Sequence, residues 1–190
     1  MSEQIAQASR GRYEADPSHT SVLFRIKHLG LSWYTGRFVR VAATLDFDPD
    51  DVAQMRLDAR IELKSIQMNY LGTDKDWDKE LAESDQFLDA ARHPIARFVS
   101  YRIQRTGDET ADVQGTLSLR GFDRPFTLAT TYNGSIPDRQ TGRPRIGFSA
   151  QSTLKRSEHG LTFGLGPAMP DDVQVIVEAE FLEDDYGAAA

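Results

Sequence analysis

The sequence predicts an all-β fold with a minor helix, in which eight or nine long antiparallel strands follow one another up and down and close into a barrel. Three observations predict it. Apolar residues recur with period two over most of the chain, turn signals separate the runs, and one segment switches to helical spacing. At 190 residues the chain is long enough for one domain with a sizeable core. The expected domain spans 13–182, with a flexible N-terminal segment at 1–12 and a flexible tail at 183–190.

Taken in order, Gly11 to Ala15 is a weak strand candidate, and Thr20 to His28 a clear one carrying Val22, Phe24 and Ile26 on one face. A short turn of helix is expected over Leu29 to Tyr34. Gly36 to Asp48 is a weaker strand, stopped by Asp48-Pro49-Asp50-Asp51. The cleanest run is Met55, Leu57, Ala59, Ile61 and Leu63, alternating with Arg56, Asp58, Arg60, Glu62 and Lys64. Thr73 to Leu88 then reads as a helix, with Asp74 as N-cap, Asp76 and Asp78 in the first turn, and Trp77, Leu81, Asp85 and Leu88 along one face. Pro94 limits its extent. Strands resume over Pro94 to Arg105, Ala111 to Leu119, Phe126 to Tyr132, Ile146 to Leu154 and Val173 to Phe181. Gly107-Asp108, Gly121-Phe122-Asp123 and Pro137 to Pro144 separate them.

Composition narrows the function classes. With no cysteine, thiolate metal sites, disulfides and a Cys nucleophile are excluded. A balance of 22 Lys+Arg against 29 Asp+Glu, net −7, argues against nucleic acid and against anionic lipid headgroups as partners. No apolar run reaches the roughly 20 residues of a membrane span. Met1 to Arg12 contains no apolar stretch of the signal-peptide kind, so a cytoplasmic location is expected, or a periplasmic one if a leader has been removed.

An eight-stranded barrel either just fills its interior or, if expanded, holds a slender ligand. Strands of about 10–11 residues at about 3.3 Å each, tilted near 40°, leave roughly 25–28 Å of height. The inward residues read from the alternation are Phe24, Ile26, Leu57, Ile61, Phe98 and Leu117, followed by Phe126, Leu128, Phe148, Val175 and Val177. Such a lining has no means of recognising a sugar or nucleotide and suits hydrocarbon.

Between Tyr13 and Phe181 the chain also carries stretches whose order and spacing are those of a known family. They are Tyr13-Glu14-Ala15-Asp16-Pro17-Ser18-His19-Thr20 with the strand that follows, Gly36-Arg37-Phe38 and Ser65-Ile66. Asp85-Gln86-Phe87-Leu88-Asp89, His93-Pro94-Ile95-Ala96-Arg97-Phe98, Val113-Gln114-Gly115-Thr116-Leu117 and Arg156 continue the series. With these the chain resembles the YceI-like family of polyisoprenoid-binding, lipocalin-like proteins. The resemblance implies an elongated eight-stranded antiparallel lipocalin-like β-barrel, with a helix against it and an isoprenoid tail inside. It brings a bound isoprenoid lipid, such as a ubiquinone or a polyprenyl phosphate, as the only cofactor-like molecule. The family's Arg-x-x-Phe-Gly reads Arg156-Ser157-Glu158-His159-Gly160 here, so an imidazole replaces an aromatic ring, with a different headgroup expected if the site borders the ligand.

The remaining candidates are weighed against plainer roles. Arg156 either grips a ligand oxygen or pairs with a carboxylate such as Asp85 or Asp89, the pairing being expected. Segment 157–170, with Phe163 among its glycines, is either a lid or a packed loop. Trp33 and Trp77 either flank an entrance or plug the barrel ends. Phe87 and His28 complete the ligand-binding candidates. A site shared by His19 and His28 needs a bulge between them; hydrogen-bonded structural histidines are the plainer reading. No metal site and no nucleophile motif is expected.

The leading functional expectation is a non-catalytic carrier or store of a long isoprenoid or other long-chain lipid. An enzyme acting on a bound lipophile at one mouth, and an interaction module with a filled core and an outer face suited to a homodimer, are the alternatives.

Overall fold

A computed structural model describes residues 8–68, 72 and 74–184. Its strands are β1 (Gly11–Ala15), β2 (Ser21–His28), β3 (Ser32–Phe38), β4 (Val41–Phe47), β5 (Arg56–Glu62) and β6 (Ile66–Gln67), then β7 (Ile95–Arg105), β8 (Thr110–Leu119), β9 (Phe122–Pro137), β10 (Pro144–Lys155) and β11 (Asp172–Glu183), with one α-helix, α1 (Trp77–Glu83). All the strand pairings are antiparallel, and β1 pairs with β11 to close the sheet.

These eleven strands make an eight-stave barrel, because the first three staves are each broken once. β11 pairs β1 through Phe181 and Glu183 and pairs β2 through Gln174 and Glu178, so β1 and β2 are two halves of one stave. β3 and β4 form the second stave, which lies beside the first, and β5 and β6 form the third. The up-and-down order expected from the turns is therefore present once the halves are joined.

Each break has a local cause. At Asp16–Thr20 the carboxylate of Asp16 accepts from Ser18 N, its carbonyl accepts from His19 N, and Pro17 supplies no N–H. At Val39–Arg40 the chain is held by Ser65: its carbonyl accepts from Val39 N at 3.2 Å and its Oγ from Arg40 N at 3.0 Å. The same hydroxyl donates to Glu62 O at 2.7 Å across the 3₁₀ turn at Leu63–Ser65, so one serine secures two broken staves. The expected strand Gly36 to Asp48 is thus the end of β3 and all of β4, and the long run from Met55 stops at Glu62.

Two other expectations change. Leu29 to Tyr34 is no helix; it is the tip of the β2–β3 hairpin. Leu29 (φ 51°) and Gly30 (φ 71°) are both left-handed, and Leu31 N donates to His28 O at 3.0 Å. Paired positive φ values are what two-residue hairpins need to match strand twist. The helix is Trp77–Glu83 rather than Thr73 to Leu88: Asp76, not Asp74, caps it by accepting from Lys79 N at 3.0 Å, and Ser84 ends it. Thr73 lies outside the described residues. From Ser84 to His93 the chain folds back in turns, with Leu88 N and Ala90 N bonded to Leu81 O and Ala82 O. β9 is longer than expected, at 16 residues, because Thr130 to Ser135 lacks the apolar alternation that marks a strand. At the chain ends, β1 already includes Gly11 and Arg12, and Ala8 is buried, while β11 runs to Glu183 and Asp184 N donates to Arg12 O.

The barrel has two unlike ends. The turn end gathers the β4–β5, β7–β8 and β9–β10 connections, and the helix end gathers α1, the β2–β3 hairpin and the loop after β10. At the turn end Tyr13, Phe47, Tyr132, Phe148 and Phe181 contact one another ring to ring at 5.4–6.4 Å. At the helix end Leu63, Ala90, Ala96 and Leu119 pack with Leu88, Leu154 and Leu161.

Candidate functional site: the barrel lumen

Alternate residues of every stave point inward, and they enclose a cavity of about 670 Å³. Its middle is lined by Phe24, Ile26, Leu57, Ile61, Phe98 and Leu117, and farther round by Phe126, Leu128, Phe148, Val175 and Val177. Two glycines shape it. A Cβ on Gly115 would overlap the Phe98 ring, and one on Gly36 would overlap Phe24 and Met68, so both rings lie flat over bare backbone. Replacing either glycine by a larger residue would push an aromatic ring into the lumen.

Polar groups occur toward the two extremities. At the turn end Arg105, Asp108, Glu109 and Thr110 border the cavity, all exposed. At the helix end the border is Gln86, Phe87, Leu161, Met169 and Arg156. Between them the wall is hydrocarbon and aromatic ring apart from the Thr20 and Thr130 hydroxyls, which are turned to backbone carbonyls at Glu180 O and Leu128 O.

Arg156 is buried, at 7% exposure, and forms the ordering centre of the loop after β10. Its Nε donates to Pro170 O at 3.0 Å, Nη1 to Leu161 O at 2.9 Å and Phe163 O at 2.7 Å, and Nη2 to Met169 O at 2.9 Å. The expected pairing with Asp85 or Asp89 is therefore not made: backbone carbonyls, not a carboxylate, take the guanidinium. Burial lowers its pKa, and the nearby Asp171 carboxylate opposes that. Asp171 is engaged by Ser157, through its N–H at 2.8 Å and its hydroxyl at 2.7 Å. Of the two readings left open for segment 157–170, a lid or a packed loop, the structure shows a loop tied down by these bonds, with Phe163 resting on Phe87 at 5.0 Å between ring centroids.

Four residues proposed from sequence lie off the cavity wall. His28 is exposed at the hairpin tip. Trp33 points outward, with Arg25 and Lys27 each 4.8 Å from its ring centre; its neighbour Tyr34 faces the lumen instead. Reading Leu29 to Tyr34 as a helix concealed this parity. Trp77 sits on the helix with Lys75 at 4.2 Å from its ring, outside the lining. Phe163 covers Phe87 from outside. Conversely, Phe38, Phe47, Leu161 and Met169 line the cavity and were not singled out. Phe38 was legible from the Gly36-Arg37-Phe38 alternation, whereas the two loop residues have no periodic signal.

The histidines do not build a shared site. His19 lies in the break before β2 and His28 at that strand's far end, about 30 Å along the chain at about 3.3 Å per residue. His19 Nδ1 is 2.9 Å from Asp16, and with Glu180 these three groups could cluster round a cation. Arg145 already occupies that place, at 2.7 Å from Asp16 and 3.0 Å from Glu180, with Asp138 on its second nitrogen at 2.8 Å. His159 is 1% exposed and off the cavity wall, so the imidazole in the family's aromatic position does not border the lumen. Burial lowers its pKa, and its Nδ1 has no hydrogen-bond partner.

Comparison with known proteins agrees with this geometry. The YceI-like domain matches residues 13–181. The YceI protein of Salmonella arizonae is 33% identical over 178 residues, which is 94% of this chain and 89% of that protein. The crystal structure of the YceI protein of Campylobacter jejuni superposes with a TM-score of 0.73 at 27% identity, covering 84% of this chain and 91% of that one. A Saccharophagus degradans domain described as polyisoprenoid-binding shares the fold, with a TM-score of 0.64 at 17% identity over 90% of this chain and 98% of its own.

Proposed function

The chain belongs to the YceI-like family, and from that premise we propose that it binds a long isoprenoid lipid, of quinone or polyprenyl-phosphate type, in its lumen, as a carrier or store and without catalysis. The observation that carries this reading is the wall itself. A cavity of about 670 Å³ runs between the two barrel ends, and its charged groups stand near the extremities. Its size falls within the range of about 300–1,000 Å³ usual for small-molecule sites.

Tail burial would dominate the affinity. At about 0.3 kcal/mol per heavy atom, a tail of about 40 carbons supplies roughly 12 kcal/mol, enough for nanomolar binding without a strong headgroup contact. The four donor bonds by which Arg156 holds the loop leave it as a support for the wall rather than a headgroup clamp.

Mass spectrometry of an organic extract from gently purified protein tests this reading. A long isoprenoid in near-stoichiometric amount is expected. Protein that carries none, and takes none up when offered, overturns it. Phe24→Glu places a charge in the wall and should lower retention at least tenfold, whereas Phe24→Leu should retain most of it. Equal retention by the two variants would contradict tail-dominated binding.

A further inference from the structure

The helix end carries a surface that the lumen does not explain. Leu29 and Leu31 stand at the hairpin tip with 54% and 81% of their surface exposed. Trp33 is exposed behind them, and Phe163 and Leu165 project from the neighbouring loop. The two segments are joined, since Leu29 N donates to Ala168 O at 2.9 Å, so the five side chains share one rim beside the cavity's apolar border of Phe87, Leu161 and Met169. Apolar groups concentrated at one edge of a barrel mark a contact surface.

Leu29 sharpens this. It adopts φ 51°, where Asn, Asp or Gly would be at ease and leucine is strained. Its N–H ties the hairpin to Ala168, but more than half of its surface is left to solvent.

Charge indicates the partner. From Pro17 to Leu45 the chain has no Asp or Glu but four Lys or Arg, within a protein of net charge −7. Arg25 is bonded to the neutral side chain of Gln174, and Arg25 and Lys27 each lie 4.8 Å from the Trp33 ring centre, so two positive charges stand beside the rim on its hairpin side. A bilayer with anionic lipid fits both features. Leucines and a tryptophan suit the headgroup–acyl boundary, and basic side chains beside them meet phosphate. Global charge argued against such a partner, and acidic residues of α1 and of the loop after β10 (Asp76, Asp78, Glu80, Glu83, Glu158, Asp171 and Asp172) share this end; the cations are gathered on the hairpin side, and that is the side that fits a headgroup.

We propose that the helix end docks on an anionic membrane surface through Leu29, Leu31, Trp33, Phe163 and Leu165, with Arg25 and Lys27 facing the headgroups, and that lipid enters and leaves the lumen there. The docking stands on the rim alone, and the lipid passage rests on the lumen-binding reading above.

The test uses the full chain with vesicles of phosphatidylethanolamine and phosphatidylglycerol, and with phosphatidylcholine alone. In a Trp77→Phe background Trp33 is the remaining tryptophan of the two, so its emission should shift to the blue on anionic vesicles and be quenched by lipids labelled near the headgroup. Leu29→Asp/Leu31→Asp should weaken co-sedimentation at least tenfold. It should slow transfer of extracted lipid between vesicles by a similar factor, with the protein's lipid content unchanged. Arg25→Gln/Lys27→Gln should reduce binding and its salt dependence. No binding to anionic vesicles, or equal binding by the leucine double variant, overturns the docking whatever the lumen holds. Self-association abolished by that variant, with no vesicle binding, would assign the rim to a second copy and overturns it too. Vesicle docking by a protein that never carries lipid would leave the docking standing and defeat the lumen-binding reading.

Discussion

The two ends of the barrel are built on opposite principles. At the turn end Arg145 is held by Asp16, Asp138 and Glu180, and five aromatic rings pack together, in edge-to-face, tilted and stacked pairs. Charged groups there pair with one another, and Tyr13, Phe47 and Phe181 are buried, although Ile136 is exposed. At the helix end two guanidinium groups, of Arg156 and Arg120, hold loops by their backbone carbonyls, one buried imidazole nitrogen is unbonded, and five large apolar side chains face solvent. The difference teaches that the two ends are held by different means, side-chain ion pairs and packed rings at one and hydrogen bonds to loop carbonyls at the other; with the docking proposed above, access to the lumen falls to the second.

The largest expected effect tests the first half of that contrast. Arg145→Ala should destabilise the fold by about 2–4 kcal/mol in urea unfolding, since it leaves three carboxylates together with no cation; the upper part of the range is discounted because Glu180 is half exposed. Its pH signature is distinctive. Arg145 holds the Asp16 and Asp138 carboxyls well below the usual carboxylate range. Their contribution is complete above about pH 4 and is lost as pH falls below it, so the variant's acid limb below about pH 4 should be flatter. An unchanged limb would dissolve the ion lock.

Arg156→Ala comes next, at about 1.5–3 kcal/mol for loss of bonds from a charged donor. Hydrogen–deuterium exchange should rise over 157–171 while the turn-end strands β1, β4 and β11 stay protected. Spread of the increase to those strands would mean that the two ends are not held by separate means.

His159→Phe should be smaller and pH-dependent. The buried imidazole has a lowered pKa, so its folded form resists protonation while the unfolded chain accepts a proton below about pH 6.5. Stability is complete above that pH and declines as pH falls, by at most about 1.4 kcal/mol per unit. Thermal unfolding at pH 7.5 and pH 5.5 should show the drop for the native chain and a smaller one for the variant.

The smallest effect is a gain. Leu29→Asn relieves the left-handed strain and should stabilise the fold by about 0.5–1 kcal/mol in urea unfolding. A loss would mean that Leu29 is packed within the fold rather than offered at its surface.

Much of the barrel and of its middle wall could be read from alternation, because a strand's faces are set by parity within a few residues: Leu57, Ile61, Leu117 and Val175 face where the period placed them. Where parity was not read, at Leu29 to Tyr34, Trp33 was placed at an entrance or a plugged barrel end, when it faces outward, and Tyr34 was overlooked. Arg156 was visible as a residue but not as a clamp, since its partners are carbonyls of Leu161, Phe163, Met169 and Pro170, which leave no mark in side-chain identity.

By itself, then, the sequence determined a long antiparallel sheet, its turns, the absence of thiol chemistry and an oily inward face, because each is a property of neighbouring residues. Only the tertiary structure decided that eleven strands are eight staves, that Ser65 ties two of the breaks, that His159 lies behind the wall, and that a net acidic chain carries an apolar rim with two cations at its hairpin side. These depend on register and on contacts between residues far apart in the chain, where position in space, and not composition, sets the energy.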